Sequence, residues 1–79
     1  MIKGELKLGD RLKTKHFGNR VRYMVCQING TYSLILIKDE TTWGNIGTIT
    51  SQPSLRGVNS LFMLTKAVNQ HFFRFIRVH

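Results

Sequence analysis

Branched and aromatic residues concentrate in two adjacent runs within residues 20–39 (RVRYMVCQINGTYSLILIKD), and the runs meet at Asn29-Gly30. A type I′ turn needs positive φ at both central residues, and Asn followed by Gly accepts that most readily. The pattern therefore predicts a β-hairpin. Val21, Tyr23 and Val25 alternate to one side of its first strand, and Met24, Cys26 and Ile28 to the other. Both sides are apolar past Arg22, the pattern of a strand that crosses the middle of a small barrel or is covered on both faces. The return strand is residues 32–37, whose Leu34-Ile35-Leu36-Ile37 run is too short and too branched to favour a helix.

The other segments are read around this hairpin. Residues 1–7 mix polar and apolar positions and fit an arm or an extra edge strand. Gly9-Asp10 signals a turn, after which residues 11–16 (RLKTKH) set Arg11, Lys13 and Lys15 on one face of a strand, with Leu12 turned inward. Phe17-Gly18-Asn19 is the next turn, where Gly18 or Asn19 supplies a positive φ. Residues 39–47 (DETTWGNIG) combine turn formers with Trp43 and lead, through a second hairpin or a wide loop, into a strand over 47–51. Pro53 ends that strand or marks it as an edge, and residues 54–58 form a connection. Asn59 or Ser60 can cap a helix of about two turns, with Leu61, Leu64 and Val68 toward the core. The alternative is a strand over 61–68, paired with the last segment through Asn69-Gln70. Residues 72–78 (FFRFIRV) read as the final strand, with Phe73 and Phe75 alternating against Arg74.

Short strands, tight turns and one short helix before the last strand predict a mainly β fold. Its architecture is expected to be a small SH3-like barrel of about five antiparallel strands, with an OB-like barrel as the alternative. No repeat or linker divides residues 1–79, so a single domain is expected.

At 79 residues the chain is near the lower limit for a self-sufficient core, which puts any function on the surface. Charge narrows that function. Twelve Lys and Arg against four Asp and Glu give a net charge of +8 and a pI of about 10.4. The excess gathers early, in Lys3, Lys7, Arg11, Lys13, Lys15, Arg20 and Arg22 against Glu5 and Asp10. So basic a domain attracts polyanions, with nucleic acid ahead of an anionic membrane and an acidic protein surface; the plainer alternative is a solvated basic surface. The apolar runs fall well short of the roughly 20 residues that span a bilayer, and no membrane partner is expected. Residues 1–10 (MIKGELKLGD) carry charges where a signal peptide has its apolar segment, so a cytoplasmic location is expected. Cys26 stands alone, which excludes an intrachain disulfide, and its apolar setting is that of a buried small hydrophobe.

Catalytic and metal chemistry find no constellation. His16, His71 and His79 have no obvious carboxylate beside them, and the only acids are Glu5, Asp10, Asp39 and Glu40. One cysteine with scattered histidines does not make a zinc site, and no phosphate-binding glycine loop occurs. The chain is read as a non-enzymatic binding module without cofactor or metal. The constellation that is present is basic. Arg11, Lys13 and Lys15 on one strand, Arg20 and Arg22 at the next turn, and Arg74 and Arg77 on the last strand form one patch if first and last strands are neighbours. Phosphates would meet these cations, while Trp43 or Tyr32 offers a ring for base stacking. Phe62, Phe72, Phe73 and Phe75 are assigned to the core.

The order of motifs resembles a family of small SH3-like barrel proteins encoded by phages and prophages. The resemblance rests on Gly9-Asp10 before the first strand, Tyr23-Met24-Val25-Cys26-Gln27-Ile28, Leu34-Ile35-Leu36-Ile37, a turn carrying Trp43, and a short helix before a terminal strand. Two features depart from it: Gly44 and Asn45 follow the tryptophan and do not precede it, and the chain is strongly basic. The resemblance implies an accessory protein of a mobile element, acting in the host cytoplasm, with no catalytic residues to carry over. Contact with nucleic acid is the first function expected. Docking as an inhibitor on an acidic surface of a host enzyme or defence complex is the alternative. A self-associating virion component, pairing through edge strands, is the third.

Overall fold

The structure, a computed structural model, describes residues 1–40 and 57–78. Strand β1 (Arg11–Thr14) is followed by a single 3-10 turn (Gly18–Arg20), β2 (Val21–Ile28), β3 (Thr31–Asp39), helix α1 (Leu61–Gln70) and β4 (Phe75–Val78). The strands form one sheet in the order β3-β2-β1-β4, and each neighbouring pair is antiparallel. The fold is mainly β with one short helix before the last strand. The hairpin forms as its pattern predicts: Asn29 and Gly30 take φ of 52° and 81°, the two positive values of a type I′ turn.

The described strands do not close into a barrel of either expected kind. The sheet is open, with β3 and β4 at its two edges. The physical reason lies in what covers its apolar face. Leu12, Val21, Tyr23, Val25, Leu34 and Phe75 from the sheet bury themselves against Leu64 and Val68 of α1 and against Ile2 and Leu6 of the arm. A helix and an arm remove that face from water, so the sheet need not curl onto itself. Each of these side chains contributes about 1.5–3 kcal/mol when fully buried. The second face of β2 is only partly covered: Met24 and Cys26 are half-buried and Ile28 is exposed, in contrast to the two-sided cover that its apolar pattern suggested.

The arm is neither a strand nor loose. Ile2 donates its N–H to Asn69 Oδ1 at 2.8 Å, and the Asn69 amide returns a bond to the Ile2 carbonyl. Leu6 donates to Thr65 Oγ1 at 2.9 Å, and the Thr65 hydroxyl donates to the Leu61 carbonyl at 2.7 Å. A buried threonine thus satisfies a backbone donor that the arm could not pair otherwise. The helix itself starts at Ser60, whose side chain accepts from the Met63 N–H at 3.1 Å. Helix, and not strand, forms over 61–70 because the cap meets apolar residues at helical spacing. Leu64 and Val68 are buried and Leu61 packs against the core.

Strands β1 and β4 are both shorter than their sequence patterns suggested. β1 stops at Thr14 because that side chain is buried and its hydroxyl accepts the Phe17 N–H at 3.1 Å, which starts the turn. β4 begins at Phe75 and not at Phe72, because His71 Nδ1 accepts the Phe73 N–H at 3.1 Å and folds the preceding residues into a bend. Of the four phenylalanines assigned to the core, Phe75 is buried and Phe73 half-buried, but Phe62 is 61% and Phe72 90% exposed. Phe62 sits on the solvent side of α1, and Phe72 lies in the bend. The strand expected over 47–51, the Trp43 turn and Pro53 lie outside the described residues.

Candidate nucleic-acid interface

The outer face of the sheet, opposite α1, carries the basic residues of β1 and β2. On β1, Arg11 and Lys13 point there while Leu12 and Thr14 are buried, as period-two alternation requires. Between β1 and β2 the 3-10 turn places Asn19, made accessible by Gly18 at φ 58° and closed by the Arg20 N–H bonding to the Phe17 carbonyl. Three cations converge on this asparagine. Lys13 Nζ donates to Asn19 Oδ1 at 3.3 Å and Arg22 Nη2 to the same oxygen at 3.0 Å. Lys38 Nζ reaches the Asn19 backbone carbonyl at 3.3 Å. Arg22 is further fixed by bonds from Nη1 to the Gly18 and Val21 carbonyls, both at 3.2 Å.

A β-bulge produces the convergence. Tyr23 pairs with Leu36, but Arg22 pairs with Lys38, so Ile37 is the extra residue and the register shifts between Arg22 and Tyr23. Without the bulge the residue opposite Arg22 would be Ile37. With it, a lysine stands opposite an arginine, a cross-strand pair that is unfavourable by itself. Like charges at about 6 Å repel by about 1–3 kcal/mol per pair, depending on how much water screens them. Glu40 lies 3.5 Å from Lys38 with both side chains well exposed, a pair worth little. The neutral Asn19 oxygens thus hold together a positive site that an anion would relieve.

The remaining sequence-predicted residues take different places. Arg11 is exposed and pairs with Met24 and Val78 along the sheet. β1 and β4 are neighbours, as the patch required, and the Lys15 N–H bonds to the Arg74 carbonyl at 3.0 Å, which sets those two residues side by side. Arg20 is exposed beside Asn19, and its carbonyl accepts the Glu40 N–H at 2.7 Å. Arg77 is turned to a structural task. Its guanidinium donates to the Lys3 carbonyl, to the Glu5 carbonyl at 3.0 Å and to Asp10 Oδ2 at 3.4 Å, tying the arm to β4. Trp43 lies outside the described residues. Tyr32 is half-buried and exchanges two backbone bonds with Val58 along the outer edge of β3, which pairs that edge locally.

Lys38 and Asn19 were absent from the sequence-predicted set. Lys38 ends an apolar run and joins the cluster only through the bulge, and Asn19 reads as a turn former. Among the described residues no group of three His, Cys, Asp or Glu is placed to hold a metal ion, and no helix is long and apolar enough to cross a membrane. Comparison with protein-family models, curated proteins and solved structures finds no match to this chain.

Proposed function

We propose that this protein is a non-enzymatic binding module that holds nucleic acid by its phosphates, with Lys13, Arg22 and Lys38 around Asn19 as the anchor. The observation that carries this reading is the convergence itself: three cations held on one turn by neutral acceptors, with the exposed Glu40 carboxylate 3.5 Å from Lys38. Arg11, Arg20 and Lys15 extend the positive surface from that anchor along β1 and the turn. A phosphate offers several acceptor oxygens to such a cluster and releases counterions when it binds.

The test is a fluorescence-anisotropy titration of a labelled oligonucleotide across a salt series, comparing the wild type with the combined Lys13→Gln, Arg22→Gln, Lys38→Gln variant. Binding should weaken steeply with salt, and the variant should lower the slope of log K against log salt by about 2–3, close to one per lost phosphate contact. A wild type that fails to bind at low salt, or a variant with an unchanged slope, defeats the proposal. Capture from a cell lysate with and without nuclease separates nucleic acid from an acidic protein as the partner.

A further inference from the structure

The bend between α1 and β4 presents one large ring to solvent on a braced support. Phe72 is 90% exposed, yet the residues on both sides of it are fixed. The His71 N–H bonds to the Val68 carbonyl at 3.2 Å, and the Arg74 carbonyl takes the Lys15 N–H at 3.0 Å. Behind Phe72, at 5.7 Å, stands Phe73, which stacks on His16 at 5.2 Å with the rings 15° apart and meets Phe17 nearly edge-on. Phe72 is thus an exposed ring backed by other rings. It borders a groove of about 390 Å³, also lined by Val68, His71, Arg74 and Phe75. Val68 and Phe75 are buried and make an apolar floor. The polar groups lie beside it: His71 Nδ1 accepts the Phe73 N–H, which leaves the ring proton on Nε2 as a donor, and the Arg74 side chain is exposed.

An aromatic wall, an apolar floor, one ring N–H and a guanidinium match the parts of a single nucleotide: a flat base and its phosphate. We infer that this groove receives an unstacked base, stacked on Phe72 with its phosphate at Arg74, so that the protein favours single-stranded over duplex nucleic acid. In a duplex the bases are stacked on one another, and Phe72 has no face to meet. This inference rests on the nucleic-acid reading above, but it is carried by residues outside the Asn19 cluster.

The experiment uses one oligonucleotide sequence as single-stranded DNA, as single-stranded RNA and annealed to its complement, titrated at moderate salt against the wild type, Phe72→Ala and Phe72→Trp. The wild type should bind a single strand, of DNA or RNA, about 10-fold or more tighter than duplex, the DNA and RNA arms showing which sugar is preferred. Phe72→Ala should weaken single-strand binding by about 5- to 100-fold, the loss of one stacking ring, with the salt slope and the melting temperature unchanged. Phe72→Trp should retain the affinity. Equal binding of single strand and duplex, or full affinity in Phe72→Ala, overturns the inference while leaving the phosphate reading standing. Absence of any binding by the wild type at low salt overturns both.

Discussion

Replacing Arg77 by alanine should damage the fold and leave the binding surface as it was. The Arg77 guanidinium serves three acceptors, the carbonyls of Lys3 and Glu5 and the Asp10 carboxylate, and through them it holds the arm that buries Ile2 and Leu6. A hydrogen bond from a charged donor contributes about 1.5–3 kcal/mol. The two carbonyls belong to exposed residues and regain water when the arginine is gone. The Asp10 contact, with side chains 28% and 26% exposed, adds less than about 1 kcal/mol. The net loss is therefore about 2 kcal/mol. A domain of this length has a total stability of about 4–12 kcal/mol, and 1 kcal/mol shifts its melting temperature by about 4–8 °C. Arg77→Ala should then melt about 8–16 °C below the wild type by circular dichroism, with an unchanged urea m-value. Arg77→Lys should recover little, because one ammonium replaces a planar fork of donors. At a temperature where both proteins are folded, Arg77→Ala should keep the wild-type salt slope for an oligonucleotide, whereas Lys13→Gln lowers it by about one. Arg77 does not anchor the arm if Arg77→Ala melts within about 3 °C of the wild type, and it belongs to the binding surface if Arg77→Ala loses salt dependence as Lys13→Gln does.

Three further outcomes check other parts of the structure. Asn19→Asp puts a carboxylate where the three cations converge, and it should raise the melting temperature by a few degrees while weakening oligonucleotide binding; changes of the same sign in stability and affinity would count against an anion site. Thr65→Val keeps the shape but removes the acceptor of the Leu6 N–H, so a loss of about 1–3 kcal/mol in urea unfolding is expected, with Thr65→Ser close to the wild type. Gly30→Ala forces a Cβ onto a φ of 81° and should cost about 1–2 kcal/mol by the same assay; a neutral result would mean that the turn relaxes to another type.

What was legible in the sequence was local. The Asn29-Gly30 turn, the alternation of Val21, Tyr23 and Val25, and the capped spacing of Leu61, Leu64 and Val68 depend on residues a few positions apart, and the structure has all three. The open sheet was not legible, because a two-sided apolar strand looks alike whether a second sheet, a helix or an arm covers it. The arm was one of two readings of residues 1–7, and the sequence did not decide between them: Ile2 and Leu6 are four apart, a spacing that suits helix and strand alike, and their partners Asn69 and Thr65 are some sixty residues away. At the site, β1 placed Arg11 and Lys13 correctly on one face, since period two is enforced by the backbone. The bulge that brings Lys38 to Arg22 has no sequence mark of its own, and Arg77 has the same charge as its neighbours while facing a different task.

The bonds between the arm and α1 have a consequence for synthesis. A ribosome emits residues 20–39 before residues 61–75, and the hairpin can pair as soon as it clears the exit tunnel, yet Leu64, Val68 and Phe75, which cover its apolar side, follow later. Until then Tyr23, Val25 and Leu34 are bare, and Ile2 and Leu6 have nothing to dock on. The core of this sheet therefore cannot close until residue 75 has been made, and a chain cut before α1 would leave the apolar side of the hairpin uncovered.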